Sequence, residues 1–445
     1  MTGGPREQFQ TLTGMRDVLW PDSARRRELV DRFVVAARRA GYREMVPPLL
    51  EDLGVFLRVG EDTDVVTKEM YDFEDRDGRR IALRPEMTAG VVRAFVQHRP
   101  LLPWKVFYTG ANFRHERPQK GRYRAFDQVG VEALGSDDAD LDVEVIALAW
   151  RFFESLGLRR VRLLVNTLGE HDDRRRYTEA VQAHLEAHRG ELSEAAATTL
   201  DRNPLRVLDS KRPEDRGAIA TAPTIAEFLS EDAAAHFGRV KEGLDALGVP
   251  HVVEERLVRG LDYYRRTTFE FAAEALDAAQ NAIGGGGRYD GLAEDLGGPP
   301  TDGIGFALGV DRILLAADAE GVMSAPEAHL DAFVVDMTGG GAARDLTHEL
   351  RAAGLSADRR FGGGSMKAQM KAADRSGAEV AVIVGEDELA AGEVTVRRLR
   401  HHSDTAGDRA QQRVPRDAVV AHLAHGTQPT DAAPGPDTTR SREEP

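Results

Sequence analysis

FRHERPQKGRYRAFDQVGVEALG, residues Phe113–Gly135, reads as the turn and second strand of a long β-hairpin. Two strand-like runs over 104–135 flank RPQKG, where Pro118 and Gly121 punctuate the turn. Successive side chains of a strand alternate between faces. Arg122, Arg124, Phe126, Gln128, Gly130 and Glu132 therefore share one face of the second strand, and Asn112 and Arg114 share one face of the first. If these faces coincide, arginines, amides and a carboxylate point the same way. Arginine forks suit phosphate oxygens, and a carboxylate suits a ligand that donates hydrogen bonds. The alternative is the solvated side of an antiparallel sheet.

Around the hairpin, residues 22–40 show helical spacing of Leu29, Phe33, Ala36 and Ala40, with Asp22 as N-cap and Gly41 as terminator. Residues 138–156 are also predicted helical, and 170–250 form a polar, mostly helical module. Strands are expected at 266–272, 279–284 and 303–308, the last running into a helix near 309–318. A second unit from about 329 alternates strands and helices, which predicts an α/β domain with a largely parallel sheet. The polar, proline-rich end from 427 to 445 is expected to be disordered.

With 445 residues, two or three domains are expected. No apolar run has the length of a membrane helix, and the first residues lack the apolar segment of a signal peptide, so the chain is expected in the cytoplasm with no membrane partner. The absence of cysteine excludes disulfides and thiolate metal sites. Charges of 59 basic against 74 acidic residues give −15, which argues against nonspecific coating of nucleic acid and leaves room for local basic patches.

Several short stretches hold candidate chemistry. In LRPEMTAG (83–90), Glu86 and Thr88 sit two apart and suit an ammonium group, or Glu86 simply opens a helix. AIGGGGRYDGL (282–292) lacks the ending of a phosphate loop, so it reads as a close approach of backbone to a ligand or as a flexible turn. In GIGFALGVDRILLA (303–316), Arg312 falls near a helix start, where it opposes the dipole unless an anion binds. LVRGLDYY (257–264) groups Arg259, Tyr263 and Tyr264 before a strand. His184 and His188, four apart with no third ligand, read as a solvated helix face. In the second unit, Arg359, Arg360, Lys367, Lys371, Arg397, Arg398 and Arg400 form a basic group, either a nucleic-acid patch or a solvated face.

Taken in order, these segments resemble the bacterial-type histidyl-tRNA synthetases, a family of class II aminoacyl-tRNA synthetases, from about Gly14 to Leu423. GYREMVPPLLE resembles motif 1, with Pro48 at its proline. The Phe113–Gly135 stretch resembles motif 2 and GIGFALGVDRILLA motif 3. LVRGLDYY and AIGGGGRYDGL resemble the two signatures particular to histidyl enzymes. The resemblance implies an α+β class II catalytic domain: a six-stranded antiparallel sheet flanked by helices over 1–169 and 251–326. It further implies a helical insertion at 170–250 and an anticodon-binding α/β domain at 327–426.

The resemblance also implies an activity, ATP-dependent ligation of L-histidine to tRNA(His) through a histidyl-adenylate, with Mg²⁺ accompanying ATP and a homodimer as the working form. Glu86, Thr88 and Gln128 match positions for the α-amino group, with Met87 between them. Glu132 and Tyr264 match those for the imidazole, with Tyr263 beside them. Arg114 matches the arginine on the α-phosphate and substrate carboxylate, Arg122 and Arg312 those along the triphosphate. Arg259 matches an arginine standing in for a metal ion near the α-phosphate. Met87 and Asp127 depart from residues common among relatives, and by parity Asp127 faces away from Gln128 and Glu132. The alternatives are a synthetase-like regulatory subunit of ATP phosphoribosyltransferase and a nonenzymatic RNA-binding sensor. The first usually lacks the anticodon-binding domain.

Overall fold

The computed structural model describes residues 9–60, 65–208, 210, 212–257, 263–277, 281–327, 329–400 and 411–426. The chain divides into two compact units, Met1–Ala325 and Pro326–Pro445.

In the first unit the predicted hairpin forms from Trp104–Phe113 (β2) and Ala125–Leu134 (β3). It belongs to a sheet with six antiparallel central strands. The others are Val161–Thr167 (β4), Arg265–Ala273 (β6), Ala282–Arg288 (β7) and Gly303–Gly309 (β8). A two-residue parallel strand extends each edge, Arg43–Glu44 (β1) beside β2 and Val252–Val253 (β5) beside β4. The order is β1-β2-β3-β8-β7-β6-β4-β5. The glycine run, read from sequence as a turn or the end of a short strand, is itself strand: Gly284 to Gly287 pair with β6 on one side and β8 on the other.

One face of this sheet carries the core. Phe107, Val129, Val131, Phe269, Phe271 and Phe306 pack beneath helices Asp22–Arg39 (α1) and Ala139–Ser155 (α3). Phe33 of α1 meets Phe107, Phe152 and Phe306 edge-on, with centroids 6.4, 5.3 and 6.2 Å away. The buried stripe of α1 is Leu29, Phe33 and Ala37, and Pro21 rather than Asp22 occupies the N-cap. Opposite parity puts Tyr108, Gln128, Gly130, Glu132, Gly305, Ala307, Gly285, Gly287 and Glu270 on the other face. Small residues over β7 and β8 leave that face open as a floor. Helix Thr88–His98 (α2) supplies a wall of the cavity above it.

The helical stretch expected at 170–250 begins with His171–Ala187 (α4), while its last helix, Glu231–Ala246 (α5), packs Phe237, Val240 and Leu244 into the core of the main sheet. Short helices between them share a core around Tyr177, Val181, Leu185 and Leu205. Helix Val310–Glu320 (α6) follows β8 directly.

The second unit holds a five-stranded sheet of Leu330–Asp336 (β9), Ala357–Arg359 (β10), Ala378–Val384 (β11), Glu393–Arg398 (β12) and Gln411–Pro415 (β13). The order is β10-β9-β11-β12-β13. The largely parallel sheet expected from sequence is corrected here: β9 pairs parallel with β10 and β11, but β12 pairs antiparallel with both neighbours. A strand added through a short connection has to return antiparallel. No helix of the described residues is long and apolar enough to cross a membrane. The predicted disordered tail, 427–445, lies outside the described residues.

Candidate functional site

A cavity of about 360 Å³ opens over the polar face of the sheet, lined by Glu86, Met87, Thr88, Arg114, Arg122, Gln128, Glu132, Tyr263, Tyr264 and Arg312. Ten of the eleven residues singled out from the sequence thus meet in one space. The eleventh, Arg259, lies outside the described residues, as do Gly260 and Asp262.

The acidic end is built around Glu132, which is 1% exposed. Its Oε1 accepts from Thr88 Oγ1 at 2.7 Å and from Tyr108 OH at 3.1 Å, and its Oε2 accepts from Tyr289 OH at 2.7 Å. Burial outweighs these donors and pushes its carboxyl up to about 8. Glycine at 305 makes this packing possible, because a Cβ there would lie 1.8 Å from Glu132 Oε2. Glu86 opens the helix, as one of its two readings expected. Its carboxylate accepts from the backbone N–H of Thr88 at 2.7 Å and of Ala89 at 2.9 Å, closing the start of α2, while it also lines the cavity. Burial raises its carboxyl above the ordinary value.

Tyr263 and Tyr264 pack together with ring centroids 4.7 Å apart, and Tyr263 meets Tyr289 edge-on at 6.0 Å. A Cβ at position 287 would approach the Tyr264 ring to 2.9 Å and the Thr267 carbonyl to 2.7 Å, so a bare backbone is required there. Gln128 accepts from Asn112 Nδ2 at 2.7 Å across the hairpin, which puts the two predicted faces on one side.

Three arginines also line the cavity. Arg114 Nε donates to the Pro85 carbonyl at 2.9 Å, and its guanidinium lies 5.5 Å from the Phe126 ring centre. Arg122 pairs with Glu116 at 3.2 Å. Arg312 Nη1 donates to the Ala282 carbonyl at 2.5 Å. Burial, joined by the charge of nearby Arg122, holds the Arg312 guanidinium below its ordinary value. A cation weakened by burial and by a like charge is stabilised when an anion enters.

The other predicted residues serve mainly the framework, although Phe126 and Asp127 also line the cavity. Arg124 serves the framework, donating to the Glu116 carbonyl at 3.2 Å. Asp127 forms an ion pair with Arg26 of α1, which also holds Asp311 at 2.5 Å. His184 and His188 stack at 4.4 Å, with His184 Nε2 2.9 Å from the Ala218 carbonyl and His188 Nδ1 2.8 Å from the His184 carbonyl. The described residues contain no group of three or more metal-ligating side chains. Tyr108 and Tyr289 were not singled out from sequence as supports of Glu132. Tyr289 had a visible signal, the aromatic residue following the glycine run. Tyr108 had only its parity with Asn112. Arg288, next to Tyr289, is fully buried against Asp142, with Nε 2.7 Å from Oδ1, while His236 of α5 reaches the other Asp142 oxygen at 2.9 Å.

Comparison with known proteins identifies the family. A family model described as histidyl-tRNA synthetase matches residues 14–313, and one described as anticodon binding domain matches residues 332–425. A histidine–tRNA ligase of Rhodococcus erythropolis is 50% identical over 421 residues, 93% of this chain and 97% of the relative. One from Geobacillus kaustophilus is 47% identical over 407 residues, 89% of this chain and 95% of the relative. The apo histidyl-tRNA synthetase of S. aureus superposes with a TM-score of 0.78 at 34% identity, covering 94% of this chain and all of that one. A structure described as an ATP phosphoribosyltransferase regulatory subunit/histidyl-tRNA synthetase from Bacillus halodurans shares the fold at 22% identity, with a TM-score of 0.61. Matched by the synthetase model over residues 14–313 and about half identical to these ligases over most of its length, the chain belongs to the histidyl-tRNA synthetase family.

Proposed function

We propose that the cavity binds L-histidine and ATP side by side, forms histidyl-adenylate with release of pyrophosphate, and passes the histidyl group to the 3′ end of tRNA(His). One observation carries this reading: a single cavity is lined by the buried carboxylates Glu86 and Glu132 and by Arg114, Arg122 and Arg312, with Glu132 set apart from Arg312 by the register of β3 and β8. Histidine is polar in the same sense. Its ammonium and imidazole suit the carboxylates, and its carboxylate belongs with the phosphates at the arginines.

In this reading Glu86, Thr88 and Gln128 receive the α-amino group beside Met87. Glu86 keeps free lone pairs after its two backbone bonds, and the Thr88 hydroxyl can accept while it donates to Glu132. Glu132 accepts from the imidazole N–H and Tyr264 borders the ring, with Tyr263 behind it. An amino acid with no side-chain N–H leaves the Glu132 site unpaired, and a buried polar group without its partner can discriminate by about 10⁴–10⁵.

The carboxylate of histidine attacks the α-phosphorus of ATP and the bond to pyrophosphate breaks. Both reactants are anions, so catalysis rests on positioning and fixed positive charge. Arg114 is assigned to the α-phosphate and the attacking carboxylate, Arg122 and Arg312 to the rest of the triphosphate, and Arg259 to the α-phosphate. The attacking carboxylate is already ionised, so this step calls for no general base. Mg²⁺ is the proposed companion of ATP. It favours oxygen ligands and binds mostly through phosphates with one or two carboxylates. Glu116 and Glu270 lie within electrostatic reach of Arg312 and fit that need. The ion would neutralise charge on the departing pyrophosphate.

A homodimer is part of the proposal. Val46, Leu49 and Leu50 remain exposed around Pro47 and Pro48, and their apolar surface suits a second copy. A cytoplasmic location rests on the family reading. Aminoacylation tests the whole proposal: purified protein with ATP and labelled histidine should charge tRNA(His) and leave other tRNAs uncharged. Failure to charge tRNA(His) would overturn it.

A further inference from the structure

The insertion leaves the catalytic sheet through a polar clasp that closes on the tyrosine segment of the cavity. Arg174, in the first turn of α4, donates from Nη1 to the Tyr264 carbonyl at 3.1 Å. Glu170, at the N-cap of the same helix, receives Arg266 Nε at 2.5 Å. Backbone bonds reinforce the join, with Leu168 N on the Arg266 carbonyl at 2.8 Å and Arg266 N on the Gly169 carbonyl at 3.1 Å. Arg266 itself has φ +48°, a left-handed conformation that a non-glycine residue adopts only when its surroundings impose it. The sheet register also slips here, between Gly287 and Arg288.

The clasp spans the base of the insertion. Asp173, 1% exposed, accepts from Glu170 N at 3.0 Å, from Arg176 Nη2 at 2.8 Å and from Ser230 Oγ at 3.0 Å. Ser230 is the N-cap of α5, the helix that brings the chain back. Arg176 also donates to the Phe228 carbonyl at 2.8 Å. The departing and returning ends are therefore tied to each other, and Arg174 and Glu170 tie that joint to residues 264 and 266.

We propose that Arg174 is a positioning residue for histidine recognition: it fixes the 264–265 peptide from the insertion side and so sets the Tyr264 ring at the imidazole end of the cavity. This rests on the assignment of Tyr264 given above. Arg174 touches neither reactant. Its loss lets the tyrosine segment reorient, which weakens histidine binding and leaves the phosphoryl chemistry, at the arginine end, intact. A charged donor on a carbonyl contributes enough that removing it changes affinity by about tenfold.

The test is histidine-dependent ATP–pyrophosphate exchange on the full chain, with thermal unfolding measured alongside. Arg174→Met is expected to raise the histidine KM about tenfold, with kcat, the ATP KM and Tm close to wild type. Arg174→Lys retains a donor and is expected to recover most of the affinity. Glu170→Gln loosens Arg266 from the other side and is expected to raise the same KM. Tyr264→Ala, which removes the ring, is the control for the underlying assignment. A raised KM in Tyr264→Ala with an unchanged KM in Arg174→Met overturns the positioning role alone. An unchanged KM in Tyr264→Ala removes the tyrosine assignment itself. If Arg174→Met does not fold, Glu170→Gln decides, and an unchanged histidine KM there overturns the proposal.

Discussion

Tyr289 and Glu132 stand 157 residues apart in the chain, and the phenol hydroxyl donates to Glu132 Oε2 across 2.7 Å. With Thr88 and Tyr108 on the other carboxylate oxygen, the pair fixes a buried acid in the cavity wall. Removing the carboxyl group with Glu132→Ala should raise the histidine KM by about 10²-fold or more, since the buried hydrogen-bond partner assigned to the imidazole is lost. Tyr289→Phe leaves the acid in place but frees one oxygen, so a smaller rise of about tenfold is expected. Steady-state exchange kinetics read both. An unchanged KM in Glu132→Ala would remove Glu132 from the pocket.

The contact at Gly305 gives a steric prediction. A methyl at 305 would sit 1.8 Å from Glu132 Oε2 and 2.4 Å from the Val131 carbonyl. Backbone on one side and a buried carboxylate on the other leave no low-cost relief, and overpacking of this kind typically costs about 1–3 kcal/mol. Gly305→Ala should therefore lower Tm and weaken histidine binding strongly. Titration calorimetry that finds wild-type histidine affinity would show the close packing to be wrong.

The raised carboxyl of Glu132 makes the ligand-free protein pH-sensitive in a definite direction. Folded Glu132 releases its proton near 8, against an ordinary value of 4.5. Between those values the folded chain holds the extra proton, so this group's stabilising share is complete below about 4.5 and is lost as pH rises through about 8. Glu132→Gln cannot titrate. Its Tm relative to wild type should climb from pH 5 to pH 8.5 by a few degrees, measured without histidine. A Tm difference independent of pH would contradict the burial of an ionising acid.

Arg312 is expected to act on ATP alone. Its guanidinium is held by the Ala282 carbonyl, beyond the Gly309 end of β8, whereas Glu132 lies opposite Gly305. Arg312→Ala should reduce the exchange rate by about 10²–10³-fold, the scale of losing one fixed electrostatic contact to a developing charge. The histidine affinity, measured by equilibrium binding, should stay near wild type. An equal loss of histidine affinity would place Arg312 in the amino-acid subsite.

Much of the site was legible because strand parity is a local rule. Asn112 and Phe126 stand directly opposite, so the faces read off the two strands do coincide, and Gln128 and Glu132 point into the cavity. The helix at Ala139–Ser155 likewise followed from its spacing. What was not legible depends on contacts distant in sequence. β8 lies between β3 and β7, and nothing periodic encodes that choice of neighbour. The glycine run was open between a flexible turn and a close approach of backbone, and it is a central strand in which a Cβ at 287 would strike the Tyr264 ring. The antiparallel half of the second sheet was hidden because hydrophobic runs look the same in either direction.

Amino-acid-dependent ATP–pyrophosphate exchange tests the central assignment most directly, because it isolates adenylate formation from every RNA contact. With each of the twenty amino acids supplied separately, histidine alone should support exchange. No exchange with histidine, or comparable exchange with an amino acid that has no side-chain N–H, would contradict the pairing of Glu132 with an imidazole in this cavity.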